Sequence, residues 1–189
     1  PWLFTELFEL AGRNPDDYIK LVPLDPFYRI RFADGTEFSY SGDPARMDAE
    51  VAKLAPEDLD GFHRLQAESE AIYKKGYEEL GDLPFHEFSS MLKVAPDLIK
   101  LGSYRTVYSL VAKHVKSDKL RQVLSFHPLL IGGNPFHVTS IYALIHHLEQ
   151  HWGVWFPMGG TGAVVAELAK VFGEIGGQLR LGETVEEIQ

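Results

Sequence analysis

Apolar side chains recur every three or four positions over most of the chain, which predicts a largely helical protein. A short helix is predicted before Gly12, followed by a turn over 16–20. Polar, solvated helices are predicted over 47–54 and 57–80, separated by Pro56. The segment 107–124 predicts another helix or a helix pair. A last amphipathic helix ends at Gly176-Gly177, and its predicted apolar face consists of Val164, Val165, Leu168, Val171, Phe172 and Ile175.

The spacing of apolar side chains changes to every second residue in one early segment, where residues 27–32 and 36–40 alternate as strands do. The pair Asp34-Gly35 between them supplies the positive φ of a tight turn, so the segment predicts a β-hairpin. One face of the hairpin is expected to be buried, and it carries Tyr28, Ile30 and Phe32. Two further short strands are predicted over 178–181 and 184–188.

The segment from Ser125 to Gly162 combines two glycine pairs, a predicted apolar helix and an aromatic run. The predicted buried stripe of this helix consists of Ile141, Leu144, Ile145, Leu148 and Trp152. His147 and His151 flank this stripe, and His146 points about 100° away from His147. Two histidines without a third ligand make a poor zinc site, so we expect no metal and assign these rings to solvent or to the core.

Composition excludes several classes of function. A formal net charge of −9 over 189 residues argues against nucleic-acid binding, which needs a surplus of lysine and arginine. For the same reason any membrane contact is expected to be apolar. The chain has no cysteine, which excludes disulfides, thiolate metal sites and cysteine nucleophiles. It also has no apolar run of about 18 residues that would predict a transmembrane helix.

Two segments leave alternatives open. The glycine-rich turn at 159–162 opens a helix, which suits an anion cradle or an ordinary turn, although it matches neither a P-loop nor a dinucleotide fingerprint. The apolar segment 83–104 is interrupted by proline and glycine, and it predicts either packed helices or an exposed lip for a lipid-like substrate. No catalytic triad is identifiable, and His127 is a candidate proton acceptor by its chemistry alone.

The central segment also carries a resemblance to a known family. It reads GGNPFHVTSIYALIHHLEQHWGVWFPMGGTGAVV, preceded by LRQVLSFHPLLIGGNP and, further upstream, by DPFYRIRFADGTEFSY. These phrases closely resemble the phytoene desaturases of bacterial carotenoid biosynthesis, a branch of the FAD-dependent amine-oxidase-like superfamily. The likeness extends over essentially the whole chain. The family's GxGxxG turn and C-terminal flavin segment are not in this sequence, and the chain begins without methionine, so we expect a fragment of a longer enzyme.

The resemblance implies a mixed α+β or α/β fold that is part of an FAD-dependent oxidoreductase. Residues 1–20 are expected to be a helical segment that follows the FAD-binding N-terminus. Residues 21–152 would be a largely helical substrate domain with the hairpin, and 153–189 would return to the Rossmann-like FAD domain as a helix–strand unit.

The implied function is the FAD-dependent desaturation of phytoene toward neurosporene or lycopene. The alternatives are a related flavin carotenoid desaturase or ketolase, an amine oxidase, or a non-catalytic module that binds an apolar ligand or a membrane. The expected partners are phytoene, its partly desaturated products and a membrane surface, while the electron acceptor stays open. The expected location is cytoplasmic and peripheral to the membrane, and the fragment alone is expected to be inactive.

The resemblance also implies site residues. Those expected near the cofactor are Trp155, Pro157, Gly159, Gly160 and Val185. Those expected to line a substrate channel are Phe126, Leu129, Leu130, Asn134, Phe136, Tyr142 and Phe156. Ser90 and Lys93 stand where the family has an acidic and a basic residue proposed for acid–base work, so a catalytic base is unassigned.

Overall fold

The computed structural model describes residues 1–79, 95–96 and 99–188. The helices whose bounds lie within the described residues are α1 (Trp2–Leu10), α2 (Pro44–Leu54), α3 (Leu59–Tyr73), α4 (Val107–His114), α5 (Asp118–Ser125), α6 (Leu144–Trp152) and α7 (Thr161–Glu174). Short 3₁₀ turns cover Pro15–Asp17, Pro56–Asp58, His127–Ile131 and Ser140–Ala143, and a π-helical segment, Lys74–Glu79, follows α3. The strands are β1 (Leu21–Pro23), β2 (Tyr28–Arg31), β3 (Glu37–Tyr40) and β4 (Trp155–Pro157).

The chain divides into two compact units. Unit 1 consists of Pro1–Leu24 with Val154–Gln189, and unit 2 is the continuous segment Asp25–Gly153. This mixture of helices and small antiparallel sheets confirms the predicted mixed class. The functions predicted for the segments 1–20, 21–152 and 153–189 stay predictions.

Unit 1 is built around a short antiparallel pair in which Val22 of β1 lies opposite Phe156 of β4. Its small core consists of Phe8, Ile19, Val164 and Val171. The strands predicted over 178–181 and 184–188 are not formed, so the strand part of the predicted helix–strand unit is wrong for this structure. A strand needs a neighbour for its backbone hydrogen bonds, and no described strand pairs with this segment.

Unit 2 contains the predicted hairpin, with Tyr28 opposite Tyr40 and Arg31 opposite Glu37. Gly35 has a φ of 83°, which allows the turn that Asp34-Gly35 predicts. The core of unit 2 includes Phe38, Tyr40, Met47, Val51, Ala55, Phe62, Leu65, Ile72, Val107, Leu110, Val111, Val115, Leu120, Val123, Leu124 and Ala143. Five of these belong to α2 and α3, so the prediction that these helices are solvated holds only for their outer faces.

The segment 107–124 forms a helix pair because side chains satisfy the free backbone groups at the break. Ser117 caps α5, accepting a hydrogen bond from the backbone N–H of Leu120. The buried carboxylate of Asp58 accepts hydrogen bonds from the backbone N–H groups of Lys116 and Ser117, at 2.7–3.0 Å. Because Asp58 lies at the start of α3, these contacts fix the break between α4 and α5 next to that end of α3.

The predicted apolar segment 83–104 lies largely outside the described residues, as do Ser90 and Lys93. Of its described part, Ile99 and Tyr104 are exposed. No helix in the part of the chain that the structure describes is both long and apolar enough to span a membrane.

Candidate functional site

The most deeply buried side chains of α6 are polar. His146 and Glu149 are 3% and 8% exposed, whereas the five residues of the predicted apolar stripe are only half-buried. The sequence-based prediction for this helix was therefore wrong about which face lies deepest. The reason is that the hairpin presents two tyrosines to α6, and their hydroxyls satisfy the polar groups that α6 buries.

Glu149 lies at the centre of this arrangement and holds two other elements in place. Its Oε1 accepts a hydrogen bond from the hydroxyl of Tyr28, at 2.6 Å, and its Oε2 lies 3.1 Å from Nε2 of His127. Tyr28 comes from β2, and His127 starts the 3₁₀ turn after α5. One carboxylate thus connects the hairpin, α6 and the His127 turn, and both of its oxygens have partners.

Burial raises the pKa of Tyr28, and the hydrogen bond to the carboxylate of Glu149 raises it further. A tyrosinate beside a carboxylate would place two negative charges together in a poorly solvated place. Tyr28 therefore stays protonated at all physiological pH values and acts as a donor.

A second buried pair lies next to the first. The Tyr40 hydroxyl is hydrogen bonded to Nδ1 of His146, and both side chains are almost completely buried. Burial lowers the pKa of His146 to about 3, and the neighbouring His127 and His147 contribute to the shift. Burial also raises the pKa of Tyr40, as does the charge of Glu149. Both groups of this pair are consequently neutral near pH 7.

Aromatic rings enclose the two pairs. The Tyr40 ring makes edge-on contacts with the rings of His127 and His146, whose centroids lie 5.4 and 5.8 Å away. Phe62 of α3 covers His146 from the other side, at 5.9 Å. Phe126 lies against Tyr28, with ring centroids 5.2 Å apart. We call Tyr28, Tyr40, His127, His146 and Glu149 the buried polar cluster.

The sequence-predicted proton acceptor, His127, belongs to this cluster and is 2% exposed. Its Nε2 is already engaged with Glu149, so a substrate would have to reach a covered ring to be deprotonated there. Its catalytic role stays a prediction. Sequence reasoning missed the parts played by Tyr28, Tyr40 and Glu149, although the two tyrosines lie on the inward face of the predicted hairpin.

The predicted channel residues lie on the surface and the rim of unit 2, except Phe156, which belongs to unit 1. Leu129, Leu130, Phe136 and Tyr142 are exposed, and Phe126 is half-buried. Asn134 shapes the turn before Phe136, because its Oδ1 accepts the backbone N–H of Phe136 at 2.9 Å. The exposed members lie in one segment of the chain between α5 and α6, which we call the exposed apolar segment.

The predicted cofactor residues of unit 1 cluster at β4 and the turn after it. Trp155 and Phe156 are exposed, and Gly159 and Gly160 have φ angles of 88° and 84°. No side chain caps the first turn of α7 after Gly160, so backbone N–H groups there are open to a ligand. These features fit a cofactor that carries phosphate and approaches the backbone closely. Val185, by contrast, is 74% exposed and lies in a segment without regular structure.

His147 and His151 stack on each other with ring centroids 5.7 Å apart, and His147 also stacks on Tyr73. Among the described residues, no group of three or more His, Asp or Glu side chains could hold a metal ion. The two histidines therefore extend an aromatic stack between α3 and α6.

Comparison with known proteins identifies the family of this chain. The model of the flavin-containing amine oxidoreductases matches residues 2–189. The chain belongs to this family. It is 45% identical over 188 residues to the lycopene-forming phytoene desaturase of Pseudescherichia vulneris and 45% identical over 189 residues to that of Pantoea ananas. It is 44% identical to the neurosporene-forming phytoene desaturase of Rhodobacter capsulatus.

Each of these alignments covers 100% of this chain, but only 38%, 38% and 36% of the respective relative. The chain thus spans less than two fifths of the length of the curated relatives it matches. These findings confirm the predicted family, and membership of a flavin-containing family implies FAD as the cofactor.

Proposed function

We propose that this chain is part of an FAD-dependent phytoene desaturase that forms lycopene or neurosporene. The observation that carries the proposal is an identity of 41–45% with five bacterial phytoene desaturases, along the entire chain. The proposal includes both products because the lycopene-forming and neurosporene-forming relatives are about equally similar to the chain.

Each new double bond removes two hydrogens from adjacent carbons, as a hydride and a proton. Bound FAD supplies the two-electron acceptor for the hydride. The backbone at Gly159 and Gly160, with the uncapped first turn of α7, would hold part of this cofactor. A hydrocarbon substrate has no polar group, so Phe156 would contact it through apolar surface alone.

We further propose that the exposed apolar segment of unit 2 contacts a membrane, from which a hydrocarbon substrate can enter the protein without crossing water. Support comes from large apolar side chains that are more than half exposed in one short segment, namely Leu129, Leu130, Ile131 and Phe136. With a net charge of −9, binding to vesicles should depend little on anionic lipid. Cosedimentation with neutral phosphatidylcholine vesicles tests this, and a strict need for anionic lipid would contradict it.

The proposed activity is tested with the full-length protein that carries this chain. It is expressed in a phytoene-producing bacterium, and the extracted carotenoids are separated and identified by their absorption spectra. We expect phytoene to be converted to coloured products with a longer conjugated system. A purified protein that holds FAD while phytoene persists unchanged would overturn the proposal.

A further inference from the structure

The exposed apolar segment starts directly after two buried residues. His127 and Pro128 are buried, whereas the next three side chains, Leu129, Leu130 and Ile131, are each more than half exposed. All five residues belong to one short 3₁₀ turn. A single turn is too short to be stable by its own hydrogen bonds, so its conformation depends on how its two ends are attached.

The first attachment is the hydrogen bond between Nε2 of His127 and Oε2 of Glu149, which are 3.1 Å apart. Glu149 lies on α6, and both side chains are almost completely buried. Loss of this bond would leave a buried ring nitrogen without its partner, which costs more than breaking a bond in water. Because a hydrogen bond sets direction as well as distance, it fixes how the first residue of the turn is oriented.

The returning end of the turn is held by close packing. The backbone N–H of Gly133 donates to the carbonyl oxygen of Pro128, at 2.8 Å. A Cβ added to Gly133 would lie 2.9 Å from Cγ1 of Val138, so the backbone lies directly against this side chain. Further along, the ring of Phe136 packs on Tyr108 of α4, with centroids 4.5 Å apart. The segment is therefore anchored on both sides while its apolar side chains face solvent.

We propose that Glu149 is a positioning residue, which acts through His127 to hold the exposed apolar segment in one conformation that receives the hydrocarbon substrate. The role in substrate capture rests on the proposed function. An apolar surface that is already ordered loses less conformational entropy when a ligand covers it, so it binds that ligand more tightly. A polar group can thus assist the capture of a substrate that has none, without touching it.

The first test measures hydrogen exchange of the backbone amides of 129–133, by mass spectrometry on the full-length protein with FAD bound. Labelling times are kept short enough for α4 to stay protected, so that only local opening contributes. Glu149→Leu removes the bond to His127, and we expect exchange in 129–133 to become about tenfold faster. Tyr28→Phe is the matched control, because it removes the other hydrogen bond of the same carboxylate, and it should change this exchange by less than about twofold.

A second variant keeps the test decisive if Glu149→Leu folds poorly. His127→Phe removes the same hydrogen bond from the other side and keeps a ring against Tyr40. It should also speed exchange in 129–133 by about tenfold. Unchanged exchange in His127→Phe would overturn the inference.

Steady-state kinetics with phytoene in lipid vesicles separate positioning from a loss of stability. Glu149→Leu should raise KM for phytoene by about tenfold and change kcat by less than about twofold, because the segment binds the substrate away from the reacting atoms. A merely structural defect would instead lower the amount of active enzyme and leave KM unchanged. Glu149→Gln should restore KM to within about twofold of the wild type, because its amide can hydrogen bond to both Tyr28 and His127.

Two failures are distinguishable. If Glu149→Leu loosens the segment but leaves KM unchanged, the positioning role is overturned and the proposed function stands. If the wild-type protein holds FAD but leaves phytoene unconverted, the proposed function is overturned, and the exchange measurement still decides whether Glu149 holds the segment.

Discussion

Helix α6 of unit 2 buries polar side chains, whereas helix α7 of unit 1 leaves large apolar side chains exposed. In unit 2, α6 places His146 and Glu149 in the interior, where Tyr28, Tyr40 and His127 pair with them. In unit 1, α7 buries Val164 and Val171 on one side. It exposes Val165 and Phe172, which lie about 100° further around the helix. Both helices were predicted to bury an apolar face, but α6 buries polar side chains deepest and α7 leaves part of its predicted face exposed.

The difference shows that the interior of unit 2 is closed by its own residues. Each polar pair in the buried polar cluster is surrounded by aromatic rings from the same unit. Unit 1 has only a small core, and the exposed faces of α1 and α7 remain available to other molecules or to other parts of a longer chain. Substitutions inside unit 2 should therefore be costly, and equivalent ones on α7 should be mild.

The largest effect is expected for Glu149→Leu. This change removes the acceptor of Tyr28 and the partner of His127, and it leaves the buried ring of His127 and the half-buried hydroxyl of Tyr28 without that partner. We expect a loss of about 3 kcal/mol in the free energy of unfolding, measured by urea denaturation. The matched control is Glu57→Leu, since Glu57 is exposed, and it should change stability by less than about 0.5 kcal/mol. Equal effects for the two variants would show that the cluster contributes nothing to stability.

Glycine substitutions compare how tightly one helix of each unit is packed within that unit. A Cβ added to Gly61 of α3 would collide with the backbone carbonyl of His114, whereas one added to Gly173 of α7 meets nothing within 4 Å. Gly61→Ala should therefore destabilise the protein by about 2 kcal/mol through overpacking. Gly173→Ala should be neutral or stabilise by up to about 1 kcal/mol, because alanine favours the helix. Thermal unfolding measures both, and a tolerated Gly61→Ala would contradict the close contact of α3 with α4.

Acid should destabilise unit 2 through His146. Its pKa is about 3 when folded and has its ordinary value near 6.5 when unfolded, so below pH 6.5 the unfolded chain binds the extra proton. Stability is thus lost as the pH falls from 6.5 toward 3, by about 2 kcal/mol between pH 6.5 and pH 5.

The control for this pH dependence is His146→Phe, which keeps an aromatic ring beside Phe62 and removes the titration. The other titratable groups near the ring, His127, His147, Tyr40 and Glu149, are the same in both proteins. The difference in unfolding free energy between the wild type and the variant should therefore shrink on acidification. A constant difference from pH 7 to pH 5 would show that His146 is not held neutral by burial.

Much of the local structure could be predicted from the sequence. The alternation around Asp34-Gly35 identified the hairpin, and proline at position 56 identified the break between α2 and α3. The depth of burial on α6 was not predictable from its own period, because it depends on the hydroxyls of Tyr28 and Tyr40, which lie more than 100 residues away in sequence. The residues predicted near the cofactor came from family resemblance, since no local pattern distinguishes Gly159-Gly160 from an ordinary turn.

The smallest expected effect tests the exposed face of α7 itself. Val165 is 67% exposed and Val171 is 4% exposed, although both were predicted to share one apolar face. In this chain Val165→Thr should change the unfolding free energy by less than about 0.5 kcal/mol, because the added hydroxyl reaches water. Val171→Thr should cost about 1–2 kcal/mol, because its hydroxyl is buried beside Phe8 and Val164 without an evident partner. If Val165→Thr costs as much as Val171→Thr in urea denaturation, the face is covered, and the contrast between the two units disappears.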